Sequence, residues 1–293
     1  MIRTADAASL HELFSNHLGL PVTWPLARAT FATFGWIGLG NTNLEIWAAT
    51  DNSDLPADCP FPLIHQIALA PAELQETLAR FSAMGLSCKA PRAYASKDDR
   101  GEMRTNFTNS VVQDLSKESC CVFVCEWDSD AFIVPWRKGL GTLERRKQER
   151  DALAACGGGA LGLVGLKEIA MSCTDLVGAL DGWQKLAESR AGGSVLAIAD
   201  DVELRLSAGT QNFFQSLTFA VRDLAEARRF LDSRGLLDGD VADEVVLSLH
   251  VTGGLRFRLV EAVTEHGHAD VSAQGFTGYS WPAADATQTR SEE

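Results

Sequence analysis

Apolar residues recur along this chain with two periods, one typical of helices and one typical of strands. In the helical stretches they return every three or four positions, so that Leu74, Leu78 and Phe81 share one face of a predicted helix. Runs rich in Val, Ile, Phe, Trp and Thr predict strands. These strands cover residues 31–39, 44–47, 122–127, 202–206, 245–251 and 256–260.

The same succession of elements occurs four times. A short apolar strand leads into an acidic turn, then a helix that often closes on Gly-Leu, and then further strands. The copies begin at Ile2, Ile64, Leu166 and Leu217. Asp6, Asp175 and Asp223 lie in these turns, where a carboxylate can accept hydrogen bonds from the free N–H groups of the first helical turn. The pattern therefore predicts four related strand–helix–strand units.

One such unit cannot bury its own sheet, so units one and two should pair, as should units three and four. The predicted fold class is α+β, with four βαβββ units forming two domains of cupped mixed sheets and helices on the outer face. A chain of 293 residues has room for two such domains. The predicted regions are a first domain (1–128), a charged helical linker with a Gly-rich joint (129–160), a second, more degenerate domain (161–264) and a flexible tail (265–293).

Charge narrows the range of partners. The formal net charge is -13, and an acidic surface repels phosphate backbones and anionic lipid surfaces. The basic run 145–147 alternates with Glu144 and Glu149, which favours a solvated helix face. Neither a secretory signal nor an apolar run of about 20 residues is present, so a cytoplasmic location is expected, without nucleic-acid or membrane partners.

The seven cysteines do not form a metal-binding pattern. No C-x-x-C pair occurs, and the odd number argues against a disulfide framework. Cys120, Cys121 and Cys125 lie on one predicted strand, with Cys121 and Cys125 on the same face. They are interpreted as small apolar residues in a reducing compartment, and a reactive thiol is the alternative.

The repeated units, with Asp-Leu openings and Leu-Gly-Leu closings, resemble the vicinal oxygen chelate superfamily. That group includes glyoxalase I, extradiol dioxygenases, fosfomycin resistance proteins and bleomycin-binding proteins. Residues 123–128 and Leu161-Gly162-Leu163 are similar to the corresponding parts of glyoxalase-like domain proteins. The resemblance extends to about Ala262 and implies two glyoxalase-like domains. It leaves the chemistry open, because one fold supports many reactions.

The resemblance also implies a divalent metal in the cup between units one and two. Glu45 falls on the family's Glu position of unit one and Gln66 on its His/Gln position of unit two, with His65 as the neighbour that a register slip would exchange for it. Glu126 falls on the last-strand position of unit two and would also act as general base. The fourth position falls before Ile2, and zinc, iron, manganese, nickel and magnesium are not distinguished.

The corresponding positions of the second cup are Glu168, Ser216, Glu203 and Glu261. This set contains no histidine, so a degenerate cup with a structural role is expected there.

Other residues suggest how a substrate could be held. Trp36, Trp47 and Trp127 could line an apolar pocket for an aromatic ligand, and core packing is the alternative. Arg104 could hold a substrate carboxylate or carbonyl, and an exposed strand-start arginine is the alternative. The Gly-rich stretches do not have the setting of a dinucleotide site, so no nucleotide cofactor is expected.

Three functional hypotheses follow. The first is a divalent-metal-dependent lyase, isomerase or dioxygenase acting on a small oxygenated or aromatic molecule in the cup of the first domain. The second is a metal-free protein of the bleomycin-resistance type that binds and sequesters a small molecule. The third is an interaction protein with two vestigial cups. Pairing of units across a homodimer, which the superfamily also uses, stays open.

Overall fold

The structure, a computed structural model, describes residues 1–56, 59–117, 119–188, 193–199, 201–238 and 244–263. Its strands are β1 (Ile2–Arg3), β2 (Val22–Arg28), β3 (Ala32–Gly38), β4 (Asn43–Ala49), β5 (Leu63–Ile64), β6 (Gln66–Leu69), β7 (Arg92–Lys97), β8 (Met103–Val111), β9 (Cys121–Trp127), β10 (Leu163–Cys173), β11 (Val195–Ala199), β12 (Val202–Ala208), β13 (Phe213–Val221), β14 (Val245–Val246) and β15 (Arg256–Glu261). Its α-helices are α1 (Ala7–Glu12), α2 (Leu74–Ala83), α3 (Thr142–Ala155), α4 (Leu176–Leu186) and α5 (Leu224–Ser233). A π-helical turn follows α1 at Leu13–His17. The tail 265–293 lies outside the described residues, and no helix within them is long and apolar enough to cross a membrane.

All four predicted units are present and share one pairing rule. In each unit the first strand runs parallel to the last, in the pairs β1–β4, β6–β9, β10–β12 and β13–β15. Units one and two have the predicted βαβββ order. Within the described residues, units three and four have one strand fewer, as β10-α4-β11-β12 and β13-α5-β14-β15. The repeat is therefore confirmed, with a shorter sheet in the second half.

Units one and two pair with each other, and so do units three and four, as the sequence predicts. The contact runs through the first strands of the units. β10 lies antiparallel to β13, and β1 lies antiparallel to β5, which leads directly into β6. One bridge between Phe214 and Ile64 joins unit one and β5 to units three and four in an 11-stranded sheet, and β6 to β9 form a separate 4-stranded sheet. The faces opposite the helices are concave and are called here the first cup (units one and two) and the second cup (units three and four).

Helix starts follow the predicted chemistry in three of the four units. Asp6, Asp175 and Asp223 each accept a hydrogen bond from the backbone N–H three residues further on. The helix of unit two differs, because the residue before it makes no such bond. Instead, the Leu74 N–H donates to Oε1 of Glu126, at the end of β9, at 2.8 Å. A residue remote in sequence therefore supplies the missing cap.

The helices and the convex sides of the sheets share one continuous apolar core. Phe14, in the π-helical turn of unit one, meets the ring of Phe257 edge-on at 5.2 Å and that of Phe219 at 6.5 Å. Both partners belong to unit four. Such edge-to-face ring pairs add about 1 kcal/mol to the burial of their area. The two halves of the molecule are thus held together by buried aromatic packing as well as by the sheet.

The linker helix is present, and its charged face is solvated only in part: Lys147 and Arg150 are exposed, whereas Glu149 and Arg145 are not. Glu149 of α3 is only 7% exposed. It accepts hydrogen bonds from Asn43 and Arg146, each at 2.7 Å. Arg145 lies with its guanidinium 4.9 Å above the ring centre of Trp136. Buried charges need such partners, which the local charge pattern alone does not show.

The Gly-rich joint forms a tight turn. Gly157, Gly158 and Gly159 all have positive φ angles, between 64° and 74°. A Cβ atom added to Gly159 would lie 2.2 Å from the carbonyl oxygen of Leu18. The same oxygen accepts a hydrogen bond from Ala160 N–H at 2.8 Å. The three glycines therefore let the chain pass close against unit one.

Candidate binding cup of the first domain

Strand alternation decides which side chains enter the first cup. In β4, Leu44 and Ile46 are buried in the core, so Glu45 lies on the opposite, concave face. In β9, Val122 and Val124 are buried in the core, so the odd-numbered residues from 121 to 127 lie on the concave face. The two strands thereby present their cup-facing residues towards one another.

Aromatic rings cover this concave face. Trp24 and Trp36, from β2 and β3, lie 6.0 and 5.9 Å from the ring of Trp127 on β9. Phe107 on β8 lies 4.8 Å from Trp127, and Trp47 stacks on a neighbouring phenylalanine of β3 at 5.1 Å. All five rings are half-buried. The structure therefore brings the predicted Trp36, Trp47 and Trp127 onto one partly accessible surface.

Trp136 reaches this surface from the segment between β9 and α3. Its ring lies between 5.2 and 5.8 Å from those of Trp24, Trp36 and Trp127. Arg145 covers its other side, in an arrangement that stabilises a cation over an aromatic face. Unlike the other rings of the first cup, Trp136 is held by a loop.

Glu45 is the acidic group at the floor of the first cup. Burial raises its pKa above the ordinary value, and the Met1 amino group and the indole of Trp36 act in the opposite direction. Trp36 is its cross-strand neighbour. The Trp36 Nε1 atom is buried, and among the described residues no acceptor meets it with hydrogen-bond geometry. The indole N–H therefore acts on the Glu45 carboxyl group without forming a hydrogen bond of ordinary geometry, and a ligand oxygen can accept a hydrogen bond from it.

His65 and Gln66 lie where β5 passes into β6. The N–H groups of both residues point to the carbonyl oxygen of Met1, at 3.0 and 3.3 Å, which is the pattern of a β-bulge. His65 is 5% exposed, and burial, with a smaller effect of Arg3, lowers its pKa to about 4, although Asp54 raises it. Its ring is therefore neutral near pH 7, and its Nδ1 has no partner in the described part of the chain.

Cys125 occupies the place on β9 that faces Glu45. Burial raises the pKa of its thiol to about 12; the charge of Glu45 adds to this, and Arg145 opposes it. The group is therefore a neutral thiol, which is a poor nucleophile. This agrees with the interpretation of the cysteine as a small apolar residue.

Glu126 lies outside the first cup. It continues the buried face of Val122 and Val124 to the start of α2, where its carboxylate is bonded to the Leu74 N–H. The Met1 amino group links the other three positions, because it donates to the Gln66 carbonyl oxygen at 2.7 Å and interacts electrostatically with Glu45 and His65. Glu126 is held at the start of α2 instead.

The predicted ligand set does not provide what a divalent ion needs. A bound transition metal takes three or four protein ligands at one point. Among the residues that the structure describes, no three His, Cys, Asp or Glu side chains converge in this way. With Glu126 engaged elsewhere, these residues do not fit the implied metal site, and a metal held there stays a prediction.

Arg104 lies apart from the aromatic surface. Its guanidinium is bonded to Asp98 at 2.9 Å and to Glu102 at 3.4 Å. It lines an open cleft of ≈ 420 Å³ together with Asp128 and Asp130. Because these neighbours are acidic, the cleft does not favour a carboxylate ligand.

Comparisons with known proteins find similarity in structure but not in sequence. No family model and no curated protein matches the chain. The structure is similar to that of homoprotocatechuate 2,3-dioxygenase from Arthrobacter globiformis, with a TM-score of 0.54 and 12% identity over 89% of this chain and 77% of that one. It is also similar to the 2,3-dioxygenase LapB from Pseudomonas sp. KL28, with a TM-score of 0.50 and 10% identity over 89% and 90% of the chains.

A hypothetical protein from Staphylococcus aureus has a similar structure, with a TM-score of 0.53 and 6% identity over 83% and 91% of the chains. The chain therefore has the vicinal oxygen chelate fold, which confirms the predicted α+β class with cupped mixed sheets. At these identities the likeness concerns the fold alone, and the activity has to be argued from the site.

Proposed function

We propose that the first cup binds a small planar aromatic molecule that carries an oxygen acceptor, and that it does so without a metal. The observation that supports this most is the continuous layer of half-buried rings on the concave face, with an unpaired indole N–H in its midst. Stacked and edge-on ring contacts favour flat aromatic ligands over aliphatic ones of equal size.

Polar groups at the floor of the cup orient the ligand. The Trp36 N–H donates to a ligand oxygen, because a buried donor without an acceptor is costly. Glu45, whose pKa is raised by burial, is shifted towards its neutral acid form and can donate as well. These two neighbours favour a phenol or carbonyl oxygen at the edge of the ring.

Trp136 is the ring that gives way when the ligand enters. It belongs to a loop, whereas Trp24, Trp36 and Trp127 are fixed on strands. The ligand takes the place of the Trp136 ring between them, and Arg145 above it then covers the ligand.

Calorimetric titration with naphthol tests this proposal, with cyclohexanol as the hydroxyl-bearing compound that lacks an aromatic ring. Naphthol should bind with one site per chain, with equal affinity in the presence of chelator or of divalent ions. Trp127→Ala should abolish binding. Trp36→Phe keeps a ring but removes the N–H group, and should weaken binding about fivefold, the effect of one neutral hydrogen bond. Trp183→Phe, in the core of the second domain, is the matched control.

Equal binding of naphthol and cyclohexanol, or unchanged binding by Trp127→Ala, would contradict the proposal. The metal-dependent enzyme is the second candidate, and the unpaired Nδ1 of buried His65 is the observation in its favour. Elemental analysis decides between the two. A stoichiometric divalent ion that is lost in both Glu45→Gln and His65→Gln would replace the metal-free proposal.

A further inference from the structure

The second cup differs from the first in what its strands present. In β12, Leu204 and Leu206 are buried in the core, so Arg205 lies on the concave face. In β15, Phe257 and Leu259 are buried, so residues 256 and 258 lie on the concave face. Both of these residues are arginines. Three guanidinium groups from two strands therefore meet on this face.

Two carboxylates hold the arginines in place. Glu168 on β10 accepts from Arg205 at 2.7 Å and lies 3.9 Å from Arg258. Glu244, just before β14, is paired with Arg256 at 3.1 Å and with Arg258. The neighbouring Lys167 and Glu203 pair with each other at 3.5 Å. Three arginines against two carboxylates leave one positive charge in excess.

A buried hydroxyl without a partner lies among these groups. Thr218 on β13 is cross-strand neighbour to both Glu168 and Arg258, and it is only 4% exposed. Its Oγ1 and the Nε of Arg258 are buried, and neither has a hydrogen-bond partner in the described part of the chain. Buried polar atoms are nearly always hydrogen-bonded, so two neighbouring atoms without a partner indicate that a bound molecule supplies one.

The outer arginines remain accessible. The side chains of Arg205 and Arg256 are 49% and 51% exposed, so each can turn unused N–H groups towards an incoming molecule. Guanidinium groups match the two oxygens of a carboxylate with parallel hydrogen bonds. A carboxylate carries a single negative charge, which balances the excess of the cluster, whereas phosphate carries about one and a half near pH 7.

We infer that the second cup is a binding site for a small carboxylate. One oxygen of the carboxylate accepts from the Thr218 hydroxyl and from Nε of Arg258, and the other accepts from Arg205 and Arg256 at the mouth of the cup. Glu168 holds Arg205 and Arg258 in position and competes with the ligand for them. The site is separate from the aromatic first cup and does not depend on its function.

Titration with benzoate and with inorganic phosphate, at constant ionic strength in chloride, tests the inference on the full chain. Benzoate is itself planar and aromatic, so it is titrated into a Trp127→Ala background, in which the first cup no longer binds such molecules. One site per chain should remain there. Thr218→Val preserves the shape of the side chain and should weaken binding about fivefold, as expected for one lost hydrogen bond. Arg205→Gln should weaken it about tenfold, as expected for a charged hydrogen bond. Glu168→Gln should strengthen it, because the arginines lose their competing carboxylate.

The remaining outcomes decide against the inference. If neither anion binds, or if benzoate binding is unchanged in both Thr218→Val and Arg205→Gln, no site exists here. If Trp127→Ala abolishes benzoate binding, the molecule is held in the first cup. If phosphate binds more tightly than benzoate, the assignment to carboxylates is wrong. Thermal unfolding of each variant separates loss of binding from loss of folding, and Glu168→Gln, which gains affinity, cannot be explained by misfolding.

Discussion

The two cups have the same strand pairing and opposite chemistry. The first presents tryptophan and phenylalanine rings around buried groups that burial shifts towards their neutral forms. The second presents three arginines held by two carboxylates. In both cases the alternate strand residues that pack on the helices are ordinary aliphatic or aromatic core residues. The fold therefore fixes the two concave surfaces, and the concave-facing positions alone give them different chemistry.

The largest effect on stability and binding is expected from replacing tryptophans, and it should distinguish a structural tryptophan from one that binds the ligand. Trp183 in α4 is fully buried, so Trp183→Ala should lower the free energy of unfolding by about 4 kcal/mol. Trp127→Ala removes a half-buried ring and should cost about half as much, yet it should abolish binding of naphthol. Urea unfolding and calorimetry of both variants measure this. If Trp183→Ala and Trp127→Ala lost similar amounts of stability and affected binding similarly, Trp127 would not have a separate role in binding.

The second effect is a pH dependence that belongs to the first cup. Above pH 6.5, His65 is neutral in both the folded and the unfolded chain. As the pH falls from 6.5 to about 4, only the unfolded chain binds the proton, so the free energy of unfolding falls by on the order of 3 kcal/mol. Below about pH 4, His65 is protonated in the folded state too, and it lowers the free energy of unfolding no further.

Urea unfolding of the wild type and of His65→Gln across this pH range measures the contribution. The variant should show a smaller loss between pH 6.5 and 4, because the titrating group is gone. Parallel curves for the two proteins would show that the imidazole is not held in its neutral form.

A third, smaller effect concerns helix caps in the two domains. Glu126→Ala removes the acceptor for the Leu74 N–H and should cost about 1 kcal/mol, as should Asp223→Ala at the start of α5. Neither substitution should change the binding of naphthol or benzoate. If Glu126→Ala, but not Asp223→Ala, lost metal or naphthol binding, Glu126 would instead be a functional residue of the first cup.

The smallest effect is expected outside both cups. Arg104→Gln removes an exposed ion pair with Asp98, and such solvent-screened pairs contribute little to stability. Thermal unfolding should change little, and binding at either cup should be unaffected. A substantial drop in affinity for an aromatic carboxylate would identify Arg104 as a ligand-binding residue after all.

Local patterns were sufficient to predict the repeated fold. The Asp residues at positions 6, 175 and 223 cap their helices as expected, because a cap depends only on the next three residues. The alternation of apolar residues indicated many of the buried strands, but it missed β2, β7 and β11 and extended to Val251 a strand that ends at Val246. The repeat indicated the pairing of units. These signals are short-range, and so they can be seen in the chain alone.

The chemistry of the cups was harder to predict, because it depends on register and on distant partners. Glu126 matched a family position, but strand register places Cys125 in the cup, as the apolar pair Val122 and Val124 would have indicated. Arg205 and Arg258 alternate with buried core residues in the same way, but the partners that give them significance, Glu168 and Glu244, lie far away in the sequence.

The placement of the tryptophans concentrates the fluorescence of the protein in one half of the molecule. Five of the seven in the sequence surround the first cup, and Trp183 is fixed in the core of the second domain. Rings only 5 to 6 Å apart exchange excitation energy, so the emission of the whole cluster responds to a disturbance of any member. The unmodified protein therefore carries its own fluorescent reporter for events in the first cup. Among the described residues, the half with the arginine-lined second cup contributes only the core residue Trp183.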